Sequence, residues 1–259
     1  MSTKYPIILV HGIMIKDLWH FRAFGKIEHI LKHEGHRVYT SNHDGLGTIE
    51  HNAEQILDYI DKVLEKEKCE KVNIIAHSKG GLDSLYMIDR LGASSKIASL
   101  TFLCTPHKGS IIATKLYELP KFFRNFLAFW LNFWFKIFGD KKPNALGVCY
   151  ELMSTPDSII ETFDHHDGIY MQSYSTELEK SKHDFVMGIP LIFSRRYEDY
   201  PSDGLVSVES SKFRNYKGHC TNSSVSHSEI VDFFVRKTKR NIIYNFYRVL
   251  CSDLENRGY

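Results

Sequence analysis

Through its first 105 residues the chain alternates two kinds of segment, and this alternation limits the folds open to it. "PIILV" (6–10) is short, continuous and β-branched, as a strand covered on both faces must be. Strand-like runs recur at "HRVYTS" (36–41), "KVNIIA" (71–76) and "IASLTFLCT" (97–105). Between them lie stretches with helical spacing at 19–34, 48–68 and 79–92, the first and last closed by Gly35 and Gly92. The middle one sets Ile49, Ala53, Ile56, Ile60 and Leu64 on one face and gathers lysines at its end, which suits the helix dipole. Strands separated by helices at this spacing imply an α/β protein with a mostly parallel central sheet, right-handed crossovers and helices on both faces.

The alternation stops after "TPHKGS" (105–110). From about 111 to 165 the spacing is helix-like throughout. "IPLIFSRR" (189–196) resumes the strand pattern, and 226–254 reads as helix, in two pieces. The expected organisation is a core of 1–110 and 186–259 with a helical cap or lid inserted at 111–185. A formal net charge of +2 gives no reason to expect a nucleic-acid partner. The five cysteines are odd in number and widely spaced, so reduced thiols are expected. No secretion-type leader opens the sequence, which points to the cytoplasm and leaves secretion open if a leader was removed.

Ser78 stands where a strand meets a helix, in "KVNIIAHSKGGLDSLY" (71–86). In a nucleophile elbow the chain turns so sharply that only small residues fit two positions to either side, and here these are Ala76 and Gly80. The same turn aims the Lys79 N–H, at the helix start, at an oxyanion formed by attack on a carbonyl. A nucleophilic serine needs a base and an orienting acid. Asp203, in "SDGLVS", and His227, in "SHSEIVDF", follow Ser78 in the order Ser, Asp, His. Read singly, Ser78 is a helix cap, Asp203 an Asp-Gly turn and His227 a surface or capping histidine. Gly12, ending "ILVHG", lets backbone approach a substrate, which makes the Ile13 N–H the second candidate oxyanion donor.

Together these segments resemble the α/β-hydrolase fold and, more narrowly, the bacterial triacylglycerol lipase family. The resemblance rests on "YPIILVHG", "GHRVYTSN", "KVNIIAHSKGG", "TPHKGS" and "SDGLVS", with "SHSEIVDF" a weaker sixth, all in family order. It implies Ser78 as nucleophile, Asp203 as acid, His227 as base, and Ile13 and Lys79 as oxyanion donors. It departs from the family between "TPHKGS" and Asp203. Many such lipases hold a structural calcium, one ligand lying two residues after the catalytic histidine. That position is Glu229 here, with Asp199 one candidate upstream partner; no cofactor is otherwise required. Some relatives carry zinc in an insertion that is missing here, although His43, Asp44 and His51 lie close in sequence.

"NFLAFWLNFWF" (125–135) is too short to span a bilayer. It reads either as a buried helix of the cap or as a lid or membrane-facing helix over 121–138. The expected function is hydrolysis of carboxylic esters of lipid-like substrates. The rivals are acyl transfer to an alcohol from the same acyl-serine, and a catalytically silent fold that binds lipid or protein.

Overall fold

A computed structural model describes residues 2–14, 16–17, 21–153 and 168–259. Among these residues six strands form one sheet, β1 (Ile7–Val10), β2 (Val38–Thr40), β3 (Val72–His77), β4 (Ile97–Leu103), β5 (Tyr170–Ser175) and β6 (Asn215–His219). Their order is β2-β1-β3-β4-β5-β6, with every pairing parallel. The helices are α1 (Ile27–His33), α2 (Ile49–Glu67), α3 (Lys79–Arg90), α4 (Ile111–Tyr117), α5 (Lys121–Ile137), α6 (Ala145–Glu151), α7 (Gly188–Ser194), α8 (Val208–Ser211) and α9 (Lys237–Asn256).

The unbroken apolar runs follow from burial of both sheet faces. Ile7 and Leu9 of β1 enter one core with Phe24, Leu31 and residues of α9 such as Tyr247 and Leu250. Their neighbours Ile8 and Val10 enter the other, with Ile56 and Ile60 of α2 and Leu85 and Ile88 of α3. Successive strand residues point to opposite faces, so a strand packed on both sides buries every residue, and its few polar ones need partners inside, as Ser99 finds in Asn73.

Three expectations are corrected. Residues 189–196 are not a strand; α7 occupies most of that span, with Ile189 74% and Ile192 52% exposed. The strand beyond β4 is β5, which lies inside the segment expected to be helical cap (111–185), so the chain re-enters the sheet well before residue 186. The helix expected from 19 starts only at Ile27; residues 19 and 20 lie outside the described residues. Gly25 has φ +47, and a side chain there would strike the Asp232 carboxylate, which accepts the Lys26 N–H at 2.9 Å. That turn fixes the start of α1 against the segment between His227 and α9.

Candidate active site

β3 and α3 meet at Ser78, whose φ of 54° and ψ of −133° lie where non-glycine residues are rarely found. The Ser78 N–H donates to the Leu103 carbonyl at 2.8 Å, holding the turn to the end of β4. The small neighbours have a visible cause. A Cβ on Gly80 would lie 2.3 Å from the His11 carbonyl oxygen. A Cβ on Gly12 would lie 2.7 Å from the Ser78 Cβ and 3.1 Å from the Lys79 nitrogen. The loop after β1 therefore presses Gly12 against the Ser78–Lys79 turn.

The residues expected from distant parts of the chain converge here. His227 Nε2 lies 2.8 Å from Ser78 Oγ, and His227 Nδ1 lies 2.7 Å from Asp203 Oδ2. A carboxylate only accepts, so Nδ1 carries the proton and Nε2 offers its lone pair to the serine O–H. Asp203 is itself held: Oδ1 accepts the Leu205 and Val206 N–H groups at 2.9 and 2.8 Å. The His227 N–H also donates to the Asp203 carbonyl at 3.0 Å, so acid and base are joined through backbone as well as side chains. Ser78, Asp203 and His227 are all buried.

Lys79 contributes to this site only through its backbone. Its N–H heads α3 and has no partner within the helix. Its ammonium is wholly buried and pairs with Asp83 at 2.6 Å.

Several neighbours were not singled out from sequence. His77 Nε2–H donates to the His227 carbonyl at 3.0 Å, and burial, followed by the nearness of His227, holds its pKa well below the usual value. Its place beside the serine, at the end of an inner strand, was the available signal. The buried Cys104 thiol sits with Asp203 and His227, all donor atoms within 4.8 Å of one another. Burial, then contact with Cys220, pushes its pKa well up, so it stays a thiol.

The expected metal positions are otherwise engaged. Glu229 is buried, and both its oxygens accept from Lys239 Nζ, at 3.0 and 2.7 Å. One of them also accepts the Ser226 N–H at 3.1 Å, while Asp199 stands exposed. A cation at Glu229 would have to displace an ammonium that already balances its charge, so these residues do not fit calcium. His43, Asp44 and His51 do not form a metal cradle. Asp44 binds Lys16 Nζ at 2.6 Å and His51 Nε2 at 3.1 Å, whereas the His43 Nε2–H donates to the His11 carbonyl.

A serine held at a strained turn, with a histidine and a buried carboxylate in line behind it, defines a serine ester hydrolase in this fold. The chain belongs to the α/β-hydrolase family: the family model described as alpha/beta hydrolase fold matches residues 5–158. Among its relatives, Triacylglycerol lipase 2 of Saccharomyces cerevisiae is 27% identical over 255 residues, covering 90% of this chain and 73% of that protein. The triacylglycerol lipase of Pseudarthrobacter phenanthrenivorans is 35% identical over 130 residues, which span 46% of this chain and 39% of that protein. In fold, the Staphylococcus hyicus lipase superposes with a TM-score of 0.70 at 15% identity, covering 98% of this chain and 96% of that one. A metagenomic carboxyl esterase gives 0.72 at 13% identity, covering 98% of this chain and 77% of that one.

Proposed function

We propose that the protein hydrolyses carboxylic esters of long apolar acids through an acyl-enzyme on Ser78. The carrying observation is the continuous line Ser78 Oγ, His227, Asp203, with spacings of 2.8 and 2.7 Å. His227 takes the serine proton as Ser78 attacks the ester carbonyl, and Asp203 holds the imidazole in the tautomer that can accept it. The Ile13 and Lys79 N–H groups meet the oxyanion, a role supported by the packing of Gly12 on the serine turn. His227 then protonates the leaving alcohol, and water, deprotonated by the same imidazole, releases the acid. The apolar outer surface of α5 supports a lipid-like substrate met at a lipid interface.

A fluorophosphonate probe should label Ser78 in the folded protein, and hydrolysis of p-nitrophenyl esters should rise with acyl length. Absence of labelling in folded protein would leave the silent-fold reading in its place. A chelator should leave the rate unchanged, because Lys239 already neutralises Glu229. A loss of activity restored by calcium would overturn that part of the reading.

A further inference from the structure

α5 wears its amphipathicity inside out. Of its 17 residues only Ala128 is buried. The face toward the protein is mixed: Ala128 and Phe135 pack on Leu46 and Ala145, and Asn132 Oδ1 accepts the Ala145 N–H at 2.8 Å. Arg124 turns back to donate to the Tyr117 carbonyl at 2.7 Å. At about 100° per residue the opposite arc, roughly 160° wide, is wholly apolar. It includes Phe122, Phe126, Phe129, Trp130, Phe133 and Trp134, between 43% and 76% exposed. A helix on the surface of a water-soluble domain shows the reverse arrangement.

The helix is also firmly mounted. The Asp140 carboxylate accepts the Gly45 and Leu46 N–H groups at 3.0 and 2.8 Å. Asp44 accepts the Lys141 and Lys142 N–H groups at 2.8 and 2.7 Å, and Lys16 ties Asp44 to the Gly139 carbonyl. Among the described residues no helix is long and apolar enough to cross a membrane. A helix that presents an apolar arc this broad without crossing is suited to lie in the plane of a lipid surface.

The charge around it selects the surface. Between Pro120 and Asn144 the bases are Lys121, Arg124, Lys136, Lys141 and Lys142, and the sole acid is Asp140. Asp140 is buried, so no carboxylate in this stretch reaches solvent. Pairing this face with the same face of a second copy would set like charges against each other. An anionic bilayer answers both features, taking the aromatic arc into its interface and the ammonium groups against its headgroups. We infer that α5 and its basic flanks are a docking face for an anionic lipid bilayer. This rests on the lipid-ester reading above and names the surface at which that substrate is met.

The test is flotation of the full chain, carrying Ser78→Ala so that binding is read without turnover. The vesicles are phosphatidylcholine alone, or phosphatidylcholine mixed with phosphatidylglycerol. Binding to the mixed vesicles should be more than about tenfold tighter, should weaken with salt, and should shift tryptophan emission to the blue. Lys121→Glu, Lys141→Glu and Lys142→Glu together should erase the preference. Phe126→Ser with Trp130→Ser should reduce binding to both vesicle types. With Ser78 restored, both sets should still hydrolyse a short soluble ester at the unaltered rate, which separates a docking defect from a failed active site. Equal affinity for the two vesicle types, no binding, or a stable dimer that hides Trp130 would each overturn the inference.

Discussion

Ser78→Ala should reduce ester hydrolysis by roughly 10⁵–10⁶-fold, while Asp203→Asn should cost about 10⁴-fold. The difference follows from what each side chain does. In the proposed mechanism the serine oxygen forms the bond to the acyl group, and nothing else at the turn can replace it. In the same mechanism Asp203 acts through His227: its carboxylate accepts the hydrogen bond from Nδ1–H at 2.7 Å and so leaves Nε2 free to accept from Ser78. An amide at position 203 can donate as well as accept, and it favours the tautomer in which Nε2 carries the proton. Because the three act as a unit, adding His227→Ala to Ser78→Ala should cost almost nothing more. Initial rates on a p-nitrophenyl ester, with unfolding midpoints recorded in parallel, check this. A Ser78→Ala protein that keeps its activity would remove the basis of the mechanism.

The parts that could be read from sequence are those whose physics is local. β1 is apolar on both faces, β3 and β4 are mostly apolar, α2 carries its stripe, and the Ser78 turn announces itself through Ala76 and Gly80. β5 was missed because its buried polar residues are satisfied by distant partners. Gln172 donates to Thr101 Oγ1 at 3.0 Å, and Ser173 donates to the Phe213 carbonyl at 2.6 Å. No local pattern distinguishes such a strand from a loop. β6, "NYKGH", is a half-exposed edge strand with still less apolar signal. In contrast, "GIPLIFS" looked like a strand because its apolar run is continuous, yet it forms α7 and leaves several of those side chains in solvent. At the site, the three expected residues met where spacing and order placed them. The backbone bond between His227 and Asp203, the His77 prop and the Lys239 counter-charge depend on tertiary contacts, so sequence could not show them.

The protein should lose stability steeply as the pH falls from about 6.5 to 5. His11, His43, His77 and His107 are all buried. Burial lowers each of their pKa values, to about 4 for His11 and about 3 for His107. An unfolded chain protonates the same histidines near pH 6.5. Below that pH the unfolded state therefore takes up protons that the fold refuses, and stability falls. Acids whose pKa values are raised oppose this, Asp83 and Glu151 most strongly. Burial raises Asp83 to about 6 and Glu151 to about 7, so the folded state binds these protons first and gains stability as the pH falls. The four histidines outnumber the two most strongly raised acids, so the unfolded state binds more protons in this range and stability falls with pH. Urea midpoints between pH 7 and 5 would read this out, and a flat or rising trend would contradict it. His107 allows a sharper check away from the catalytic residues. It stacks on Phe213 with centroids 4.2 Å apart, and its Nε2 is buried without a hydrogen-bond partner among the described residues. His107→Leu should thus be close to neutral or stabilising at pH 7. It should also remove one of the histidines behind the imbalance, so that the loss of stability on acidification is smaller than in the unaltered protein.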